Sequence, residues 1–150
     1  MKRIIVIASI CIVIIGALSG CASLTNPGIL DGYTDCEENL DSDGFQDYTD
    51  YCKYYYGDSK TWVQFEQSSL YEPVGERIDL VKGYFENMED WMDTQERSDE
   101  FDFDPACITA GDYVYIDSEY PENGPNQYSN YDVYLFDVEE HVLYFVHNNI

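Results

Sequence analysis

Residues 39–50 read Asn39-x-Asp41-x-Asp43-Gly44-Phe45-x-Asp47-x-x-Asp50. With Asn39 as the first position, oxygen side chains fall at the first, third, fifth, ninth and twelfth positions and a glycine at the sixth, and any residue's carbonyl serves at the seventh. One loop wraps a hard, oxygen-seeking dication such as Ca²⁺ with that spacing. Cys36 and Cys52 flank the run and could staple its ends as a disulfide. The same stretch admits two other readings. A chain with 30 acidic residues produces Asp-x-Asp-Gly by chance. Alternatively, Phe45, Tyr48, Cys52 and Tyr55 stand at helical spacing, which would make residues 43–56 a short amphipathic helix.

Other chemistry-bearing residues are less organised. His141 and His147 share a parity on an expected strand, six residues and so roughly 20 Å apart, too far to chelate one ion. Asp102 with Asp104, and Glu139 with Glu140, are acid pairs of the kind a glycosidase uses, but acids are too abundant here for such pairs to be specific. The chain contains no Gly-x-Ser-x-Gly, His-Glu-x-x-His, phosphate-binding glycine loop, Ser-x-x-Lys or Cys-x-x-Cys. No catalytic residue is assigned.

The N-terminus carries an address. Lys2-Arg3 is followed by an apolar run over residues 4–17 and then by Leu18-Ser19-Gly20-Cys21. A positive start, a short apolar stretch and small residues make a secretory signal, too short for a comfortable permanent span. The tetrapeptide resembles the lipobox of bacterial lipoproteins. That resemblance implies that residues 1–20 are a signal peptide cut away before Cys21. The Cys21 thiol then carries diacylglyceryl, and acyl chains such as palmitate hold the chain on the outer side of the cell membrane. Each buried CH₂ contributes about 0.8 kcal/mol, so two or three chains anchor stably. The competing reading is an uncleaved N-terminal membrane helix with Cys21 an ordinary thiol.

The 39–50 run resembles the calcium loops of dockerins and thrombospondin type-3 repeats, which use Asp at the twelfth position. By that resemblance Asn39, Asp41, Asp43, Asp47 and Asp50 would be side-chain metal ligands and Phe45 a carbonyl ligand, with Ca²⁺ the one cofactor the sequence suggests. The loop departs from those families in having Asn at the first position, Gln46 at the eighth and a single copy.

Acids outnumber bases 30 to seven, for a net charge of −23. Two of the seven bases and no acid lie in residues 1–20, so the mature chain would carry −25. Such a field repels nucleic acid and anionic surfaces and attracts cations and basic proteins. Fifteen tyrosines and seven phenylalanines argue against a disordered chain. Once Cys11 leaves with the signal and Cys21 is lipidated, Cys36, Cys52 and Cys107 remain. A Cys36–Cys52 bridge would leave Cys107 a free, buried thiol, and Cys107 pairing with either of the others is the alternative.

The elements must position whatever chemistry there is. Residues 21–40 read as a lipidated acidic tether, rich in Pro, Gly and acids. Residues 41–59 stay ambiguous, and residues 60–150 read as one α+β domain. Within it, residues 61–66 read as a strand. Residues 76–97 read as a long helix, with Ile78, Val81, Phe85, Met88 and Met92 as its core stripe and Tyr84 or Trp91 at the edge. Residues 113–117, 131–137 and 141–147 read as strands, the last two a hairpin. The expected packing is one long helix on a small antiparallel sheet in the order β-α-β-β-β. Alternation on 113–117 predicts one apolar face under the helix and one tyrosine-acid face, Tyr113, Tyr115 and Asp117, toward solvent.

In general layout the chain is similar to small lipoproteins of Gram-positive bacteria, a likeness that implies no particular activity. The functional expectation is a non-enzymatic binding domain whose partner is a cationic protein or a cell-wall glycan. An exported enzyme whose site is not visible in sequence, or an acidic inhibitor of a cationic protein, are the alternatives.

Overall fold

In the computed structural model, which describes residues 26–41, 48–57, 62–119, 121–126 and 129–149, alternating apolar residues near the C-terminus set the register of one sheet. Its strands are β1 Asp35–Asn39, β2 Tyr48–Tyr55, β3 Glu72–Pro73, β4 Tyr113–Ser118, β5 Tyr131–Asp137 and β6 Val142–Asn149. They lie in the order β1-β2-β6-β5-β4-β3, every neighbour antiparallel. One long helix, α2 Ile78–Thr94, packs on the sheet, and the chain is an α+β protein as expected.

Val81, Phe85, Met88 and Met92 are fully buried beneath α2 against Val114, Val133, Leu135 and Val146. Tyr84 is also fully buried rather than at the edge, and its ring meets Tyr131 at 4.9 Å. Trp91 is half-buried, as an edge residue should be. The helix ends where Glu96 turns left-handed (φ 60°) and the Arg97 amide bonds back to the Met92 carbonyl at 2.8 Å. That closure delivers the Arg97 side chain to the ends of the β1–β2 connection. There it donates to the Thr49 carbonyl at 3.0 Å and pairs with Glu100 at 2.7 Å.

Three expectations are corrected. Residues 63–67 are not strand but a short helix, α1 Val63–Gln67, with Phe65 stacked on Phe136 at 3.9 Å. Six residues of aromatic and β-branched character fit either element, and burial of one side chain decides. The 43–56 helix does not form over residues 48–55, which are β2. Their tyrosines and threonine, pairing with both β1 and β6, suit a pleated strand better than their three-and-four spacing suits a helix. The 21–40 tether is folded wherever it is described. Residues 35–39 are β1, and residues 26–33 form a strap across the second face of the sheet.

The strap runs from Asn26 toward the β5–β6 turn. Tyr134 donates its hydroxyl to Asn26 Oδ1, Tyr71 to the Gly28 carbonyl, and Tyr56 to the Leu30 carbonyl at 2.6 Å. With α1 it covers a second core of Tyr54, Tyr56, Phe65, Tyr71, Tyr134, Phe136, Leu143 and Phe145. The expected solvent-facing tyrosine-acid face is therefore covered at its tyrosines, while Asp117 is exposed. Tyr113 and Tyr115 are half-buried against this core, and Tyr115 stacks on Tyr134 at 5.3 Å. Among the described residues no helix is long and apolar enough to cross a membrane.

Candidate functional site

The β5–β6 turn is built by a carboxylate. Asp137 Oδ1 accepts the amides of Glu139 and Glu140 at 2.8 and 2.9 Å, which tightens the turn and throws both glutamates outward. His141 completes the turn left-handed (φ 57°), so β6 begins at Val142 and the two histidines do not share a strand. The neighbouring Asp112 is buried and acts in the same way. Its oxygens accept the Thr109 amide at 2.7 Å and the Val138 amide at 3.1 Å, pinning the approach to β4 against the turn.

Between that turn and the segment carrying Asp102 and Asp104 lies an open groove of about 680 Å³. It brings together both acid pairs singled out in the sequence, together with Asp112 and Asp137. Phe103, Tyr144 and Cys107 also line it, and no lysine or arginine among the described residues does. Asp112 and Asp137 are committed to backbone amides. Asp104 accepts the Ala106 amide at 2.9 Å but stays exposed, as do Glu139 and Glu140.

Asp102 is held as an anion. Lys53 on β2 reaches it at 2.7 Å and Glu37 on β1 at 2.6 Å, while the Tyr51 hydroxyl donates to Asp102 at 2.8 Å. Burial works against the charged form of Asp102, but the bonds from Lys53 and Tyr51 outweigh it and hold the carboxyl below its ordinary range. The hydrogen bond from Lys53 holds Glu37 low as well. For Lys53, burial opposes the charge, yet bonds to both carboxylates raise its pKa. A glycosidase acid needs the opposite shift, so Asp102 is ill-suited to donate a proton at neutral pH. Both depressed carboxylates favour folding above the ordinary carboxylate range, and that contribution is lost as pH falls through their folded values.

The calcium ligands are only partly brought together. Asp43, Phe45 and Asp47 lie outside the described residues. Asn39 on β1 donates its amide to the Glu100 carbonyl at 2.9 Å. Asp41 lies 3.9 Å from Arg97 and donates its own backbone amide to Asp50 Oδ1 at 2.9 Å. The flanking elements are paired strands rather than the helices of a dockerin loop, and among the described residues no group of three or more His, Cys, Asp or Glu is placed to hold a metal ion.

The expected Cys36–Cys52 staple is not formed. Cys36 is disulfide-bonded, while Cys52 and Cys107 are both free. The register explains it. Cys36 stands opposite Tyr54 and Cys52 opposite Glu38, so the two cysteines are diagonal neighbours. Diagonal side chains lie about 7–8 Å apart, and a disulfide needs Cβ atoms about 3.5–4.5 Å apart. Cys52 is buried, and desolvation pushes its thiol up to about 12. Cys107 is exposed, not buried as expected. A maleimide reagent is therefore expected to label Cys107 in the native protein and Cys52 only on unfolding. Equal native labelling of both would contradict the burial.

Sequence reasoning missed one row of residues. On the strap-covered face, Asp50, His147, Asp132 and Asp117 stand directly opposite one another across β2, β6, β5 and β4. His147 Nδ1 bonds to Asp132, and the His147 ring lies 4.8 Å from Tyr48. Burial raises the pKa of Asp50. Asn26, the first described residue of the strap, borders a recess with all four. No family model matches the chain, and no curated protein or solved structure matches it either.

Proposed function

We propose that the protein is a lipid-anchored extracytoplasmic binding domain, without catalytic activity, that captures a cationic protein in the acidic groove. The observation that carries this reading is the groove itself. Asp104, Glu139 and Glu140 project exposed carboxylates into it, Asp102 is held ionised at its side, and no basic residue lines it among those described. The charge of the chain draws a basic partner in, and the aromatic residues Phe103 and Tyr144 supply contact area.

A strongly basic protein such as a lysozyme serves as the probe. Calorimetric titration at low salt is expected to show binding that weakens as salt is added, because exposed charges are screened. The triple variant Asp104→Asn, Glu139→Gln, Glu140→Gln should bind at least about tenfold more weakly, a loss of about 1.4 kcal/mol. A control triple on the exposed side of α2, Glu86→Gln, Glu89→Gln, Asp90→Asn, should not. Equal losses in both variants, or no low-salt binding to the wild type, would overturn the groove as the site.

The anchor rests on Lys2-Arg3, the apolar run and Leu18-Ser19-Gly20-Cys21. Cys21→Ala is expected to leave unprocessed precursor, and mass spectrometry of membranes should find a chain beginning at acylated Cys21. A lipidated Cys21 holds its sulfur as a thioether, which cannot enter a disulfide. Cys36 is disulfide-bonded to a cysteine outside the described residues, so an intact Cys21–Cys36 disulfide peptide from the mature protein would refute the anchor.

A further inference from the structure

We infer that the outer edge of β4, over residues 116–118, takes an extended basic segment of another protein as an added strand. Ile116 stands four residues further along the chain than the groove residue Asp112, and neither it nor Ser118 lines the groove.

The ladder decides which backbone groups are left over. Val74 donates its amide to the Asp112 carbonyl at 2.8 Å, and Glu72 stands opposite Val114. In an antiparallel strand the N–H and C=O of one residue point to the same side, and successive residues alternate. Asp112, Val114, Ile116 and Ser118 therefore face away from β5, while Tyr113, Tyr115 and Asp117 bond to it. β3 is two residues long and serves only the first half of that outer row. Beyond Glu72 the chain bends away. The Leu70 amide, which a longer β3 would set beside Ile116, turns instead to the Ser68 hydroxyl at 3.2 Å. Among the described residues no strand pairs with residues 116–118 on that side.

The other outward-facing edges are blunted. Pro73 has no N–H to offer outside β3, and on β1 the Asp35 side chain accepts the Cys36 amide at 2.9 Å. Nothing of the kind closes the row at Ile116 and Ser118 among the described residues. The opening is three residues, about 10 Å, long. Apolar side chains flank it. Leu70 at the bend is 37% exposed, and Ile78, Leu80 and Ile116 are partly buried at the rim of the core under α2. A strand laid here completes the ladder with its backbone and covers these side chains. In strand addition the backbone supplies affinity and alternate side chains choose the partner.

Charge chooses the occupant. Asp117 and Glu119 are exposed beside the open row. A second copy of the chain would bring its own Asp117 and Glu119 against them, on top of a net charge of −23. Like charges across a ladder are destabilising. A segment that alternates basic and apolar residues fits both faces. Its lysines or arginines fall on the Asp117 side of the sheet and its apolar residues on the Ile116 side.

The test adds a capped eight-residue peptide of alternating lysine and valine to the mature protein carrying Asp104→Asn, Glu139→Gln and Glu140→Gln, so that the groove does not compete for it. Amide hydrogen exchange, read residue by residue, is expected to slow at least about tenfold at Ile116 and Ser118 as the peptide saturates. Tyr115 and Asp117 already bond to β5 and should not change. A fully N-methylated peptide with the same side chains keeps the charge but has no ladder donors, and should slow nothing. Ser118→Pro removes an outward N–H and leaves the bonds to β5 in place, and should weaken the peptide at least about fivefold. Glu119→Lys should do the same, and it alters only an exposed side chain, so it carries the test if Ser118→Pro fails to fold. No binding, binding that leaves Ile116 and Ser118 unchanged, or equal slowing by the N-methylated peptide would overturn the inference. So would slow exchange at both amides without peptide that vanishes on dilution, because a second copy would then fill the edge.

Discussion

Phe85→Ala is expected to remove about 3–5 kcal/mol from the unfolding free energy. Phe85 is fully buried at the centre of α2, and its ring lies 4.7 Å from Phe103, which in turn lies 4.4 Å from Tyr144. Truncation loses the transfer energy of the ring and leaves a hole that α2 cannot close, because Val81 and Met88 on either side are themselves fixed in the core. Against a typical total of about 5–15 kcal/mol, such a loss brings the domain close to unfolding near body temperature. Equilibrium denaturation measures it, with Glu86→Ala on the exposed side as a control expected to stay within about 0.5 kcal/mol. The effect reaches the groove as well, since Phe103 and Tyr144 line it and both lean on this packing. An unchanged denaturant midpoint for Phe85→Ala would mean that α2 does not lie on the sheet as described.

Local periodicity made α2 and the β5–β6 hairpin readable, because each carries its own pattern over enough residues. Val81, Phe85, Met88 and Met92 recur at three and four and are all buried. Residues 131–137 alternate and are found as β5 with the expected bounds. Elements stabilised from a distance could not be read that way. β1 has an exposed, acid-rich sequence and forms only because β2 offers it a ladder. β2 in turn depends on β6, some ninety residues later in the chain. The strap is the extreme case. Its Pro and Gly content reads as tether, yet tyrosines from just past β2, from β5 and from the segment before β3 reach up to hold it.

The candidate sites divide along the same line. The acid pairs at 102/104 and 139/140 are each unspecific alone. Only the fold brings them to one groove, by folding the 101–112 segment beside the β5–β6 turn. The Asp132–His147 contact was within reach of the sequence. A hairpin that pairs Asp137 with Val142 places Asp132 opposite His147, so the register carried the contact once the turn was located. Asp50 and Asp117 joined the row through pairings with no local signature. The calcium spacing was legible, and three of its donors, Asp43, Phe45 and Asp47, lie outside the described residues. Its terminal donors Asn39 and Asp50 sit on paired strands, where Asn39 binds Glu100 and Asp50 binds the Asp41 amide.

Gly28→Ala is expected to cost about 1–3 kcal/mol through overpacking. A methyl group on Gly28 would meet the Tyr134 ring at 2.5 Å, well inside contact distance. The ring cannot step aside, because Tyr115 stacks on it at 5.3 Å and Phe145 at 4.7 Å. The strap must lift instead, and lifting breaks the Tyr134–Asn26 and Tyr71–Gly28 hydrogen bonds that dock it. Native-state hydrogen exchange should show lost protection over the strap before the rest of the sheet loses any. Gly57→Ala is the matched control. Its added methyl meets the Thr34 side chain at 3.2 Å near the surface, and that side chain can give way. Tyr134→Ala combined with Gly28→Ala should cost less than the sum of the two singles, because removing the ring removes the clash. A Gly28→Ala variant as stable and as protected as the wild type would mean that the strap does not lie on Tyr134.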